Sequence, residues 1–100
     1  MNKMIGYVAP QYWNGTNSLS EIPEFSPLFD EFTEIAKRTE MPPWYVKYAV
    51  LYFTYKGKYY SVGPGRFDTD PRIFDHIVND LIDRMYEMGA YDMAYSGMLD

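Results

Sequence analysis

WYVKYAVLYFTYKGKYYSV, residues 44–62, decides how the chain is read. Tyrosine, valine and phenylalanine dominate it, and their aromatic or branched side chains suit a pleated strand better than a helix. Lys56-Gly57 interrupts the run as a two-residue turn. Folding the stretch at that turn predicts a hairpin with Tyr55 opposite Lys58, Phe53 opposite Tyr60 and Leu51 opposite Val62. Side chains alternate along a strand, so Ala49, Leu51, Phe53, Tyr60 and Val62 share one apolar side. Tyr48, Val50, Tyr52, Thr54, Tyr59 and Ser61 share the other.

The flanks of the hairpin read as helices. From Pro71 to Met88, the residues Ile73, Phe74, Ile77, Val78, Leu81, Ile82, Met85 and Met88 recur at three- and four-residue steps, the signature of an amphipathic helix. Thr69 or Asp70 supplies its N-cap, Pro71 its first position and Gly89 its left-handed stop. A shorter helix follows Ser26-Pro27 and ends near Thr39. Leu28, Phe32, Ile35 and Ala36 lie on one side of it, with Asp30, Glu31 and Glu34 near its positive end. Two further strands are expected, Lys3 to Ala9 and Tyr91 to Ser96, the latter alternating Tyr91, Met93 and Tyr95 with Asp92, Ala94 and Ser96. The resulting order, strand, helix, strand, strand, helix, strand, resembles the split βαβ arrangement of ferredoxin-like domains. That resemblance implies an α+β fold with a four-stranded antiparallel sheet and two helices on one face. Residues 1–100 are read as a single domain. Pro10 to Phe25 has no clear periodicity and is long for a connection, a property of functional or mobile loops; Tyr12 and Trp13 within it are expected to pack onto the body.

A hydrophobic fraction of 47% argues against disorder, and zero cysteines remove disulfides, thiolate nucleophiles and cysteine-based zinc sites. The start, MNKMIGYVAPQ, has too short an apolar run for a signal-peptide core, and no segment approaches the length of a membrane span. The expectation is a soluble, cytoplasmic protein without a membrane partner, in which Asn14-Gly15-Thr16 is not a glycosylation site.

Charge is sorted along the chain, whose net value is -5. Residues 41–67 hold Lys47, Lys56, Lys58 and Arg66 and no acid, a local +4, while residues 14–40 carry -4 and residues 68–100 carry -6. Lys56 and Lys58 beside the turn can serve solubility and discourage edge-to-edge pairing, and an acidic helix stripe can be a solvated face; read instead as contact chemistry, they give two surfaces. One is the outer sheet face, with Tyr48, Tyr52 and Tyr59 rimmed by Lys47, Lys56, Lys58 and Arg66; rings on strands supply contact area at small entropic cost. The other is the helix 71–88, where Asp75, Asp80, Asp83 and Glu87, with His76 and Asn79, should face away from the core and meet a basic partner. RNA-recognition domains share the expected topology and stack bases on sheet aromatics, which makes single-stranded nucleic acid an alternative partner for the hairpin. Lys58-Tyr59-Tyr60-Ser61-Val62-Gly63 does not reproduce their strand pattern, and a pI near 4.7 opposes phosphate attraction.

Reaction chemistry is harder to find. His76 is the only histidine, and on a helix it neighbours Arg72 and Asp80 rather than a nucleophile. Asp68-Thr69-Asp70 begins like a calcium loop but runs into Pro71, and Gly63-Pro64-Gly65-Arg66 lacks the ending of a phosphate loop. The sequence therefore implies neither cofactor nor metal, and a non-enzymatic protein-binding role. In composition it resembles small phage and mobile-element proteins, including anti-CRISPR inhibitors, which implies an inhibitor that occupies the site of a basic, nucleic-acid-binding partner. A homodimer joined through the outer sheet face is the remaining expectation.

Overall fold

The computed structural model describes residues 16–99. Helices α1 (Ser26–Arg38) and α2 (Pro71–Glu87) pack against an antiparallel sheet of β1 (Val46–Tyr55), β2 (Lys58–Val62) and β3 (Tyr91–Leu99). The chain order is α1-β1-β2-α2-β3 and the sheet order β2-β1-β3.

The hairpin forms in the expected register, from Leu51↔Val62 to Tyr55↔Lys58. Lys56 and Gly57 take φ of 51° and 79°, the two positive values of a type I′ turn whose twist matches the flanking strands. Helix α2 starts where the Asp70 carboxylate accepts the Ile73 amide at 3.1 Å and Pro71 opens the first turn. It stops at Gly89, φ 98°, where the Ala90 amide reaches back to the Met85 carbonyl and the Gly89 amide to that of Tyr86. Helix α1 grows directly out of a 3-10 turn, Pro23–Phe25, and ends with Lys37 and Arg38 beside its negative pole.

A chain of rings joins sheet to helices: Tyr60 on Phe53, Phe53 near Phe25, Phe25 near Phe29, Phe29 edge-on to Phe67, Phe67 on Phe74 and Phe74 near Tyr95, with centroids 5.5 to 6.3 Å apart. Ile22 and Phe25 belong to this core. The described part of the segment read as a loop is thus structural, two consecutive 3-10 turns that drive Phe25 under the sheet.

The four-stranded ferredoxin-like sheet is not what forms. In that arrangement an N-terminal strand separates the hairpin from the last strand. Here β3 pairs with β1 itself, from Thr54↔Tyr91 to Val46↔Leu99, while β2 takes the opposite edge of β1 at Leu51 to Tyr55. The physical reason is length. β1 runs ten residues, and β3 continues past Ser96 to Leu99, far enough to pair along nearly all of it. The strand expected over Lys3 to Ala9, like Tyr12 and Trp13, lies outside the described residues.

Two irregularities in the β1–β3 ladder reassign side chains. One falls between Val46 and Tyr48, so that Val46 turns into the core and Tyr48 out of it. The other opposes Asp92 and Met93 to Phe53 alone, with Asp92 at φ 53°, and places Tyr91 on the outer face beside Thr54. The alternation expected for Tyr91, Met93 and Tyr95 therefore fails at its first member.

Candidate interaction surface

Three of the four cations of residues 41–67 do not stand free. Lys58 pairs with Glu21 at 3.4 Å, Lys56 approaches Glu24 at 4.0 Å, and Arg66 meets Asp30 at 3.1 Å while its guanidinium lies 5.5 Å over the Phe29 ring. Arg84 adds a two-pronged bond to Glu31 at 2.8 and 3.2 Å, which lowers the Glu31 pKa and raises its own. Glu24 is also held below the usual carboxylate range, first by its own backbone amide, then by the Tyr55 hydroxyl that donates to it at 2.9 Å, and least by Lys56. The positive charge that the sequence gathers in the hairpin thus faces the acids of α1 and of the turns before it. Lys47 has no acidic partner among the described residues and is exposed.

On the outer sheet face, Tyr48 is 45% exposed, and Tyr52 and Tyr59 are half-buried. Thr54, between Tyr59 and Tyr91 in the ladders, is buried, and Tyr91 is 45% exposed. The structure brings Tyr48, Tyr52 and Tyr59 to one face and adds Tyr91. Arg66 is not on their rim, since its partner Asp30 belongs to a helix on the opposite side of the sheet. The outer face and the α2 surface are therefore separate places.

On α2, Asp80 and Glu87 are exposed and Asp83 is partly so, with no ion pair to any of the three among the described residues. Asp75 is not part of that stripe. Its carboxylate accepts the buried Tyr95 hydroxyl at 2.6 Å and the Trp44 indole N–H at 3.0 Å. Burial and the adjacent carboxylate push the Tyr95 pKa far above its ordinary value. Asn79, one turn on, has its amide oxygen buried and unpaired, so it too leaves the solvent face where the sequence placed it.

What sequence reasoning missed lies just before β1. Trp44 is 40% exposed, fixed by Asp75 and 6.1 Å from the exposed His76 ring; Tyr45 is 51% exposed, with the Arg72 guanidinium 5.7 Å over it. Met41 is exposed as well. The available signal was Pro42-Pro43: two prolines, placed after α1 has ended at Arg38, cannot join a ladder, which leaves Trp44 off the strand and able to lean on α2. Tryptophan, tyrosine and arginine in one patch are the residue types that dominate interface energetics.

No family model, curated protein or solved structure matches the chain. Among the described residues, no group of three or more histidine, aspartate or glutamate side chains is arranged to hold a metal ion. No described helix is long and apolar enough to cross a membrane.

Proposed function

We propose that the protein is a non-enzymatic protein-binding module that docks through the solvent face of α2 and the aromatic shelf beside it. Trp44 and Tyr45 supply apolar anchors; His76, Asp80, Asp83 and Glu87 supply the polar surround. One observation carries this reading: Lys56, Lys58 and Arg66 pair with acids of the same chain, whereas Asp80, Asp83 and Glu87 make no ion pair among the described residues, on the helix against which the exposed Trp44 and Tyr45 rings lean. A field of that sign attracts a basic surface, and the rings give it something to bind once it arrives. The partner class it fits is a basic, nucleic-acid-binding protein, whose phosphate-binding surface the carboxylates would occupy as an inhibitor does. The outer tyrosine face, with Tyr48 and Tyr91, is a second docking area available to the same module.

The test is capture of partners from the native host by the wild-type chain, followed by binding measurements with the purified partner. Trp44→Ala should weaken binding by about 2 kcal/mol or more, roughly thirty-fold. Reversal of Asp80, Asp83 and Glu87 to lysine should slow association and invert its salt dependence while the melting transition survives. Equal capture by both variants would overturn the reading. A mobility shift of single-stranded probes at low salt, lost in Lys56→Ala/Lys58→Ala, would transfer the function to the hairpin.

A further inference from the structure

Between the hairpin turn and the paired 3-10 turns lies a cleft of about 290 Å³ lined by Glu21, Ile22, Glu24, Tyr55, Lys56, Lys58 and Tyr60. Its walls are sorted by charge. Glu21 and Glu24 come from the 3-10 turns on one side, and Lys56 and Lys58 flank Gly57 on the other. Ile22, Tyr55 and Tyr60 are buried side chains that give the floor an apolar and aromatic character. A cleft with one negative wall, one positive wall and a greasy floor has a dipole running across it. The complement is a small molecule with the opposite dipole and an apolar body.

We infer that this cleft binds a free α-amino acid with an apolar side chain. The ligand ammonium lies against Glu21 and Glu24, its carboxylate against Lys56 and Lys58, and its side chain on Ile22 and Tyr60. The volume is enough for one such molecule and close to the lower limit for ligand pockets. Binding opens the resident pairs, Lys58–Glu21 at 3.4 Å and Lys56–Glu24 at 4.0 Å, which join exposed side chains and contribute little to stability. Glu24's own backbone amide and then the Tyr55 hydroxyl at 2.9 Å favour its charged carboxylate, and the Tyr55 bond ties the negative wall to the hairpin. Because both walls face solvent, affinity should be in the range of about 1 mM. This site is separate from the α2 surface, and neither reading depends on the other.

The experiment follows backbone amide shifts of the full chain while L-leucine is added, with N-acetyl-L-leucine and L-leucinamide as analogues lacking one charge each. Saturable shifts at Glu21 to Glu24 and Lys56 to Tyr60 are expected with leucine, and binding roughly ten-fold weaker or worse with each analogue. Glu24→Gln and Lys58→Gln should reproduce those losses while the remaining amides keep their positions. No shift in the cleft at about 20 mM leucine, well above the expected dissociation constant, would overturn the inference. So would equal binding of N-acetyl-L-leucine, which would show that the negative wall recognises nothing.

Discussion

Tyr95→Phe tests the link between core and surface most directly. Tyr95 is buried, its hydroxyl donates to Asp75 at 2.6 Å, and the same carboxylate holds the Trp44 indole at 3.0 Å. Phenylalanine fills nearly the same space, so the substitution removes one hydrogen bond to a charged acceptor and opens no cavity. Such bonds contribute about 1.5–3 kcal/mol; Asp75 is partly exposed and keeps Trp44, which favours the lower end, about 1.5 kcal/mol. For a chain of this size that lowers the melting temperature by roughly 6–12 °C. The pH dependence is the sharper signature. A phenol whose folded pKa is raised keeps its proton in the native state after the unfolded chain has lost it. The stability it contributes is therefore complete below the unfolded pKa near 10.0 and declines as pH rises beyond it, by about 1.4 kcal/mol per unit. Urea denaturation at pH 7, 9, 10.5 and 11 should show wild type ahead by a constant margin up to pH 9 and the two proteins converging by about pH 11. A margin unchanged across that range would refute the assignment of Tyr95 as a buried, proton-retaining donor to Asp75.

Three further outcomes are expected. Gly57→Ala should destabilise by about 1 kcal/mol in urea denaturation, because φ is 79° and nothing lies within 4 Å of the added methyl, so the effect is backbone strain alone. Glu24 and Glu31 have depressed pKa values, so the stability they contribute is present above about pH 4.5 and lost as pH falls through their folded values; Glu24→Gln/Glu31→Gln should flatten the acid limb of a pH–melting profile. Phe25→Ala should cost about 3–5 kcal/mol by chemical denaturation, the value of a core ring rather than of a loop residue.

The hairpin was legible because two local signals agree, a period of two and a turn dipeptide with glycine at its second position. Helix α2 was legible because Asp70, Pro71 and Gly89 mark its ends as clearly as the apolar steps mark its face. The sheet order was not. Which edge of β1 the last strand takes depends on β3 being long enough to follow β1 to Val46, and nothing local separates that pairing from a sheet with an added strand. Tyr91 was misassigned for a related reason: Asp92 in the left-handed region inserts one extra residue, and from there back every side chain changes face. At the candidate surface, helical spacing alone put Asp75 and Asn79 with Asp80, Asp83 and Glu87. Tyr95 and Trp44 come from elements far away in sequence, and only their arrival turns Asp75 into a structural acceptor.

The segregation of charge along the sequence has a simple spatial counterpart. Glu21, Glu24, Asp30 and Glu31 lie 31 to 53 residues from the tyrosine, lysine and arginine side chains they meet. Exposed pairs of this kind contribute little to stability, so the apolar core and not the charge pairing holds the fold together. They do cancel most of the hairpin's field at distances larger than the 3.1 to 4.0 Å that separate the paired charges, inside the range that salt leaves unscreened. A partner approaching from solution therefore meets the hairpin as a nearly neutral surface and α2 as a negative one, although in the sequence alone residues 41–67 carry four cations and no acid. With that cancellation, raising salt should slow capture of a basic partner by wild type and speed capture by the Asp80, Asp83 and Glu87 reversal, whose lysines repel the partner. Lys56→Ala/Lys58→Ala, by exposing Glu21 and Glu24, should accelerate capture at low salt; a slower rate would place the attracting field on the hairpin and not on α2.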